Sequence, residues 1–284
     1  MESLDRSGLG AIQDKGGSLG LGILSWKDRL SLESALKSYR DQNFLSLFDQ
    51  THVFFAEQSS EDHALAAQFG VSSSGADENL GILGGFEALG QAMQTDYIIL
   101  VENDCPLIES FAEAKKQIEA SLRLLSKNDV QVVRLRSLRE PGELFNTVDK
   151  YKRMHGNSVS SFLRRLVRPR KARGLAGIAP YVEEHPHDKF PTQVLMTNEA
   201  SELGPIYKID TRFLNWTNQS IMMKREFFLN QVIDYAKTAK TTRRVNGFRN
   251  LEIEMNSSYW RNNDWFVGVP QGVFTHRRVG NRGY

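Results

Sequence analysis

This chain of 284 residues has a single cysteine, no marked excess of one charge and no long apolar run. The single cysteine, Cys105, forms no disulfide within the chain, so the fold does not need an oxidising compartment and a cytoplasmic protein is the simplest expectation. The 36 basic and 34 acidic residues nearly balance, which identifies no nucleic acid or membrane partner. The apolar run at residues 97–101 is far shorter than the ~20 residues that span a bilayer, so no transmembrane helix is expected.

Two common kinds of functional site are also missing. The sequence contains no Walker phosphate loop. His185 and His187 flank a proline, which is not a spacing typical of zinc ligands, and no second cysteine accompanies them. P-loop chemistry and structural zinc therefore receive no support.

Short apolar strands alternate with segments of helical periodicity from Leu19 onward, a pattern typical of an α/β domain with a largely parallel sheet. We expect one domain over residues 19–284, in which residues 19–136 form an open sheet of the nucleotide-binding type. Residues 1–18 lack the basic and apolar pattern of a signal peptide and are expected to form a flexible leader. Strands are predicted at residues 21–24, 52–56, 97–101 and 130–135.

The chain changes character after Ser137. Residues 138–206 contain several prolines, two basic clusters and few periodic apolar positions, so we expect a loop-rich basic insert there. Residues 137–284 then form the second half of the domain around this insert. Regular structure is predicted to return with a strand at residues 219–223, helices at 225–239 and 250–261, and a strand at 265–269.

Polar residues follow two of the predicted strands, at residues 57–62 and 102–104. In open parallel sheets, ligands bind at the carboxyl ends of the strands. Two carboxylates separated by one residue, Glu102 and Asp104, are suited to bind Mg²⁺ or Mn²⁺, and such a cation neutralises a diphosphate. Aspartate and asparagine are also common as capping and turn residues, so this pattern alone leaves a purely structural role open.

Four segments of the first half together resemble the GT-A fold glycosyltransferases, especially the family 2-like group. They are residues 21–39, residues 56–62, residues 79–85 with their glycines, and residues 97–104, in the order and rough spacing of that family. The resemblance implies an open, mostly parallel α/β sheet flanked by helices, with a nucleotide-sugar-binding half and an acceptor-binding half. It also implies a nucleotide-diphosphate sugar as donor and Mn²⁺ or Mg²⁺ as cofactor.

The resemblance assigns donor-site roles by position. Glu57 stands where the family usually has Asp and is expected to face the nucleobase, while Asp62 supports that loop. Asn79 lies in the glycine-containing segment that belongs to the same donor site. Glu102 and Asp104 stand in place of the family's Asp-x-Asp, which holds the ribose and the metal–diphosphate. Asp104 matches the family residue, whereas Glu57 and Glu102 depart from it.

The C-terminal part carries a second, looser match. The family often ends with an acidic pair at a helix start, then a strand, a proline and a histidine, and this chain has Glu252 and Glu254, residues 265–269, Pro270 and His276. The resemblance implies Glu252 as the base that deprotonates the acceptor hydroxyl, Glu254 on the acceptor side, and His276 as a metal ligand or phosphate donor. From the residues alone, Glu252 equally complements a helix dipole and His276 equally lies on the surface.

Two further features leave alternatives open. Trp216 precedes a predicted strand on the acceptor side, and its ring either stacks on a sugar or packs in the core. Residues Arg164–Arg173 include six basic side chains and no acid, which fits a solvated loop, a patch for anionic lipid headgroups or a nucleic-acid contact. Apolar residues interspersed in this run make nucleic acid the least favoured and favour peripheral membrane contact or a mobile lid.

The sequence thus predicts a metal-dependent glycosyltransferase that moves a sugar from a nucleotide-diphosphate sugar to a hydroxyl of a glycan or glycolipid acceptor, with inversion through Glu252. Retaining GT-A enzymes share the donor-site signature, so the stereochemistry stays open. A sugar-nucleotide pyrophosphorylase is disfavoured because residues 25–29 contain no glycine-rich phosphate loop. The alternative from another class is a non-catalytic module that binds a polyanion or a membrane through Arg164–Arg173.

Overall fold

A computed structural model of the protein describes residues 16–143 and 145–280. A nine-stranded sheet forms its centre, and its strands β1 to β9 span Leu19–Ser25, Gln50–Phe55, Ser72–Gly75, Tyr97–Glu102, Val132–Arg134, Val194–Ser201, Gly204–Asp210, Ile221–Lys224 and Phe266–Val269. The strand order is β3-β2-β1-β4-β8-β5-β9-β7-β6. Only β7 and β8 run against the other strands of this sheet, so the expected mostly parallel α/β architecture is confirmed.

Helices cover both faces of the sheet because its strands are apolar on both sides. In β1, Leu21 and Ile23 join the core beneath α1, whereas Leu24 faces the core beneath α3. Asp28 begins α1 by accepting a hydrogen bond from the backbone N–H of Ser31 at 3.1 Å. Helices α1 to α12 span Arg29–Asp41, Ser60–Gln68, Gly81–Ala92, Phe111–Ser126, Asn146–His155, Val159–Val167, Pro169–Arg173, Pro186–Lys189, Arg225–Phe227, Asp234–Thr238, Leu251–Met255 and Ser258–Asn262.

The expectation of long loops over residues 138–206 is wrong. Helices α5 to α8 and the antiparallel pair β6–β7 occupy most of this segment. Two of its prolines begin helices, since Pro169 and Pro186 each stand in the first turn of a short helix, where the missing N–H costs nothing. The strand β3 was also not predicted, because its sequence of three serines and a glycine has no apolar pattern.

The remaining predictions lie close to the observed elements. The helix expected at 225–239 is α9 and α10 joined by a π-helical segment at Phe228–Ile233, and the one expected at 250–261 is interrupted between α11 and α12. Among the described residues, no helix combines the length and apolarity needed to cross a membrane. Most of the predicted leader, residues 1–15, lies outside the described residues, but Ser18 donates its hydroxyl to Asp96 at 2.8 Å.

Candidate active site

Polar side chains gather at the carboxyl ends of β1, β2, β4 and β5. These four strands run in the same direction, so their carboxyl ends meet at one edge of the sheet. Ligands bind at this edge in open α/β folds. The local structure there divides into an apolar cleft, a buried ion-pair cluster and a polar cavity.

The apolar cleft lies at the ends of β1 and β2, between Trp26 and Phe248, and Asn79 contributes to its wall. The Asn79 side-chain oxygen accepts a hydrogen bond from the Gly81 backbone N–H at 2.8 Å and thereby shapes the turn that enters α3. Gly81 has a φ of +66°, and a Cβ atom there would meet the Phe248 side chain at 2.5 Å. Only glycine therefore permits this approach of the two walls.

Glu57 lies beside the cleft through its contact with Trp26, whose indole N–H donates to Glu57 at 3.0 Å. That hydrogen bond, together with Lys27 at 3.3 Å, lowers the pKa of the exposed Glu57 carboxyl below its usual value. Asp62 is turned away from the cleft. It accepts from Arg29 Nε at 2.7 Å and from the Ser59 hydroxyl at 2.7 Å, and it secures the start of α2.

The Asp104 cluster consists of Asp104, His276 and Arg278 at the end of β4. The His276 Nε2 atom lies 3.0 Å from Asp104 Oδ2, and Arg278 Nε donates to the same oxygen at 3.1 Å. Asp104 and His276 are each only 1% exposed. Despite that burial, the hydrogen bond from His276 holds the pKa of Asp104 below its usual value, and Asp104 raises the pKa of His276.

The protonation of His276 follows from its two partners. Nε2 faces a carboxylate, and Nδ1 lies 2.8 Å from the Glu143 carbonyl oxygen. Both partners accept hydrogen bonds, so both ring nitrogens carry a proton and the side chain is an imidazolium. Asp104 and His276 therefore form a buried ion pair.

The segment at residues 276–280 crosses the ends of β1 and β4 and covers the Asp104 cluster. The Arg277 backbone N–H donates to the Asp104 carbonyl at 2.9 Å, and the Val279 backbone N–H donates to the Ser31 hydroxyl at 3.0 Å. Because Ser31 belongs to α1, this C-terminal segment is tied to both a strand end and a helix start.

The polar cavity, of about 150 Å³, brings together residues from distant parts of the chain. Glu102 reaches it from β4, Arg134 and Arg136 from the end of β5, and Glu252 from α11. Two carboxylates and two guanidinium groups thus share one concave site. A site of this kind can bind a hydroxyl and a negatively charged group side by side.

Glu252 stands in the first turn of α11, whose start is set by Asn250. The Asn250 side-chain oxygen accepts from the backbone N–H groups of Glu252 at 2.9 Å and Ile253 at 3.3 Å. The Glu252 carboxyl is open to the cavity but surrounded by protein, and this loss of water raises its pKa above the usual value. Arg134 and Arg136 offset part of that rise.

Arg134 and Arg136 are functional candidates that sequence reasoning missed. Both are 4% exposed, and burial lowers the pKa of Arg136. Arg136 donates to Gln219 Oε1 at 2.7 Å and to the Glu143 carbonyl at 2.8 Å, the same carbonyl that faces His276. The signal was present, since arginine at alternate positions of a buried strand end is unusual.

Two predicted acceptor residues are buried. Trp216 forms part of the wall of the polar cavity, but it is only 2% exposed and its ring packs edge-on against Trp260 with centroids 5.2 Å apart, so the ring belongs to the core. Glu254 is also buried and pairs with Arg249 at 3.2 Å. Because it stands two residues from Glu252 on a helix, it points to a different side. Of the two alternatives open for Trp216, these contacts favour core packing, and an acceptor role for Glu254 gains no support from them.

The three predicted metal ligands are not assembled as a set. Within residues 16–143 and 145–280, no group of three or more His, Cys, Asp and Glu side chains is arranged to hold a metal ion. Asp104 and His276 are in contact, whereas Glu102 lines the polar cavity. The Asp104 carboxylate fits a Mg²⁺ or Mn²⁺ site, because these cations are commonly bound by one or two carboxylates together with substrate phosphates. The His276 imidazolium would have to release its Nε2 proton before it could bind a cation.

Comparison with known proteins identifies the fold. No protein-family model matches the chain, and no curated protein matches it significantly. Among solved structures, the mannosyltransferase PcManGT from Pyrobaculum calidifontis, in complex with GDP-Man and Mn²⁺, is 10% identical with a TM-score of 0.52. It aligns over 94% of this chain and 59% of its own. TarS 1–349 from S. aureus, in complex with UDP-GlcNAc, is 10% identical with a TM-score of 0.51 over 93% of this chain and 60% of its own.

The chain has the GT-A fold. At these identities the likeness establishes the architecture, and the chain spans about 60% of the length of the solved chains it resembles. The strand ends at which the apolar cleft, the Asp104 cluster and the polar cavity lie are the ligand-binding edge of that fold.

Proposed function

We propose that this protein is a glycosyltransferase that moves a sugar from a nucleotide-diphosphate sugar to a hydroxyl group of a glycan or glycolipid acceptor. The observation that carries the proposal is the polar cavity, in which Glu252 faces Arg134 and Arg136 at the ligand-binding edge of a GT-A fold. The complexes of PcManGT with GDP-Man and of TarS with UDP-GlcNAc support a nucleotide-sugar donor.

In this proposal the apolar cleft receives the nucleoside. The Trp26 and Phe248 side chains provide flat apolar walls for a base, and Asn79 and Glu57 provide polar groups at its rim. Asp62 acts indirectly, because its contacts with Arg29 and Ser59 hold the loop after β2. The diphosphate then extends along the strand ends toward the Asp104 cluster and the polar cavity.

The diphosphate meets several cationic groups on this path. Arg278 at the Asp104 cluster and Arg136 in the cavity offer guanidinium groups, which bind phosphate oxygens through paired N–H donors. Asp104 would hold a divalent cation, and His276 would join it as a ligand once its Nε2 atom had released its proton and its contact with Asp104. When bound, Mn²⁺ or Mg²⁺ stabilises the charge of the departing diphosphate.

Glu252 is proposed as the general base. As the acceptor oxygen attacks the anomeric carbon, the Glu252 carboxylate takes the hydroxyl proton, and the bond from the anomeric carbon to the diphosphate breaks. A carboxyl with a raised pKa suits this role, since proton transfer is most efficient when the pKa of the base approaches the working pH. Direct attack opposite the leaving group inverts the anomeric configuration.

A thermal-shift panel tests the donor site. The protein is heated with UDP, GDP, CMP or dTDP, each with and without Mn²⁺, and Asp104→Asn is compared with the unaltered chain. Binding to the folded state raises the melting temperature. We expect a metal-dependent rise with one nucleotide that Asp104→Asn diminishes. Absence of a rise with every nucleotide contradicts the proposal.

Transfer and stereochemistry are tested on the nucleotide sugar so identified. Release of nucleoside diphosphate in the presence of a glycan or glycolipid acceptor demonstrates transfer, and NMR of the anomeric proton in the product separates inversion from retention. The non-catalytic alternative requires that biological function survive Asp104→Asn and Glu252→Gln. This alternative is less well supported, because a module that binds only through Arg164–Arg173 does not account for the polar cavity.

A further inference from the structure

Helix α6 presents its apolar side chains to solvent. Only Ser161 of this helix is buried, at 3% exposure. A surface helix of a globular protein ordinarily turns its apolar stripe toward the core, so α6 has the reverse orientation. The exposed apolar residues are Val159 at 77%, Phe162 at 52%, Leu163 at 53%, Leu166 at 62% and Val167 at 77%.

Polar contacts hold this orientation in place. The Ser158 hydroxyl accepts from the Ser161 backbone N–H at 3.1 Å and begins the helix. From the opposite face to the apolar stripe, the Arg165 guanidinium donates to the carbonyls of Met154 at 2.9 Å and Gly156 at 3.3 Å. The polar face of α6 is therefore attached to the end of α5, and its apolar face is exposed to solvent.

Positive charge surrounds the apolar face. No acidic residue occurs from 150 to 182 in the sequence. Within the described part of the chain, the exposed basic residues of this region form no ion pair. They are Lys150, Lys152, Arg153, Arg164, Arg168, Arg170, Lys171 and Arg173.

We propose that α6 and α7 form a docking surface for an anionic lipid bilayer, with α6 lying flat at the interface. Phe162, Leu163 and Leu166 enter the boundary between headgroups and acyl chains, while the flanking arginines contact lipid phosphates. An anionic bilayer binds both the apolar side chains and the positive charges of this surface. A nucleic acid would leave the five apolar side chains in water, and a second copy of the chain would bring like charges together. The inference goes beyond the proposed function and does not depend on it.

The surface also lies next to the polar cavity along the chain. Phe145 and Thr147 before α6, and Ile178 after α7, line that cavity. Thr147 stands at the start of α5, and Arg165 of α6 donates to Met154 near the end of α5, about 10 Å further along the helix axis, so docking through α6 and α7 holds the cavity near the membrane. If the proposed transferase is correct, this placement favours an acceptor that is itself anchored in the bilayer.

Vesicle flotation tests the surface with the full chain. Vesicles of phosphatidylcholine, with or without phosphatidylglycerol, are mixed with the protein and with three variants. The double variant Phe162→Ser, Leu166→Ser removes apolar contacts, Arg168→Gln, Arg170→Gln removes charge, and Met196→Ser is the control, since Met196 is 55% exposed on β6. All substituted side chains are exposed, so circular dichroism and melting temperature are expected to stay unchanged.

The unaltered chain and Met196→Ser are expected to float with vesicles that contain phosphatidylglycerol and to bind neutral vesicles far less. Removing two arginines lowers the partition coefficient about 30-fold, since each cation near an anionic surface contributes about fivefold. Removing the two apolar side chains lowers it at least ~10-fold. Neither double variant is expected to change the nucleotide-dependent thermal shift. The vesicle experiment and the nucleotide experiment therefore test the docking surface and the proposed function independently.

Two results overturn the inference. If no vesicle binds the unaltered chain while an oligonucleotide does, and the arginine variant loses that binding, the surface recognises nucleic acid. If the chain instead forms a dimer in sedimentation experiments, and Phe162→Ser, Leu166→Ser abolishes the dimer without any vesicle binding in the unaltered chain, the surface is an interface between copies.

Discussion

The His276 Nε2 atom lies 3.0 Å from Oδ2 of Asp104, although the two residues are 172 positions apart in the chain. Asp104 stands in the turn that follows the fourth strand, and His276 belongs to the C-terminal segment that crosses it. Since each is 1% exposed, removal of Asp104 leaves the buried imidazolium without its counterion, whereas removal of His276 leaves the buried carboxylate with Arg278 as its remaining ion-pair partner. Such a change costs about 3–5 kcal/mol in a buried pair.

The Asp104–His276 ion pair predicts a specific dependence of stability on pH. The folded-state pKa of His276 lies above 6.5, so its contribution is complete below pH 6.5 and is lost as pH rises through the raised value. The folded-state pKa of Asp104 lies below 3.8, so its contribution is complete above pH 3.8 and is lost as pH falls through the lowered value. We expect His276→Gln to lower the free energy of unfolding most between these limits, as measured by urea titration at several pH values.

His52 on β2 supplies the matched control for that experiment. Its ring nitrogens meet the hydroxyls of Ser72 and Ser74 at 2.9 and 2.8 Å, and burial lowers its pKa below 6.5. Its contribution to stability is therefore lost as pH falls below 6.5, the reverse of His276. An identical pH dependence for His52→Gln and His276→Gln contradicts the assigned charge of His276.

Glu252→Gln is expected to separate activity from stability. Loss of the base lowers kcat about 10²–10⁴-fold. At neutral pH the folded protein holds a carboxylate whose ionised form burial disfavours, so the neutral amide raises the melting temperature. Glu254→Gln is the comparison, because it breaks the buried contact with Arg249 and lowers the melting temperature. Unchanged kcat in Glu252→Gln rules out the base role.

Arg134 is expected to set the acidic limit of activity. Arg134 lowers the raised pKa of Glu252, and the base must be deprotonated to act, so kcat/KM falls as pH drops through that pKa. In Arg134→Gln the decrease of kcat/KM is expected to occur at higher pH. Arg134→Lys keeps the positive charge, so the decrease is expected at nearly the same pH as in the unaltered protein. Profiles of kcat/KM against pH decide the point, and coincident curves for all three proteins disprove it.

Trp26 and Trp216 are expected to respond oppositely to replacement by alanine. Trp26 lines the apolar cleft, so Trp26→Ala weakens nucleotide binding by about 1–3 kcal/mol through lost stacking while the fold persists. Trp216 packs against Trp260 in the core, so Trp216→Ala costs about 3–5 kcal/mol of stability. Calorimetric titration with the nucleotide and urea unfolding measure the two effects. A stably folded Trp216→Ala with a raised KM for the acceptor would restore the predicted acceptor role of Trp216.

The amino-acid sequence by itself determined the parallel strands of the first half and the polar residues at their carboxyl ends. Apolar periodicity reports which faces are buried, and polarity at a strand end stays visible in one dimension, as for Glu102 and Asp104. Local patterns failed where tertiary contacts supply the stability, as in β3 and the segment over residues 138–206.

Only the tertiary structure decided which residues work together. The partnership of Asp104 with His276, the joining of Arg134 and Arg136 to Glu252, and the burial of Trp216 all depend on contacts between distant parts of the chain. The outward face of α6 is of the same kind, because amphipathic periodicity reveals that a helix has two faces but not which of them meets the protein. In this protein the polar contacts of Arg165 and Ser161 fix the orientation of α6, so that its apolar face is exposed.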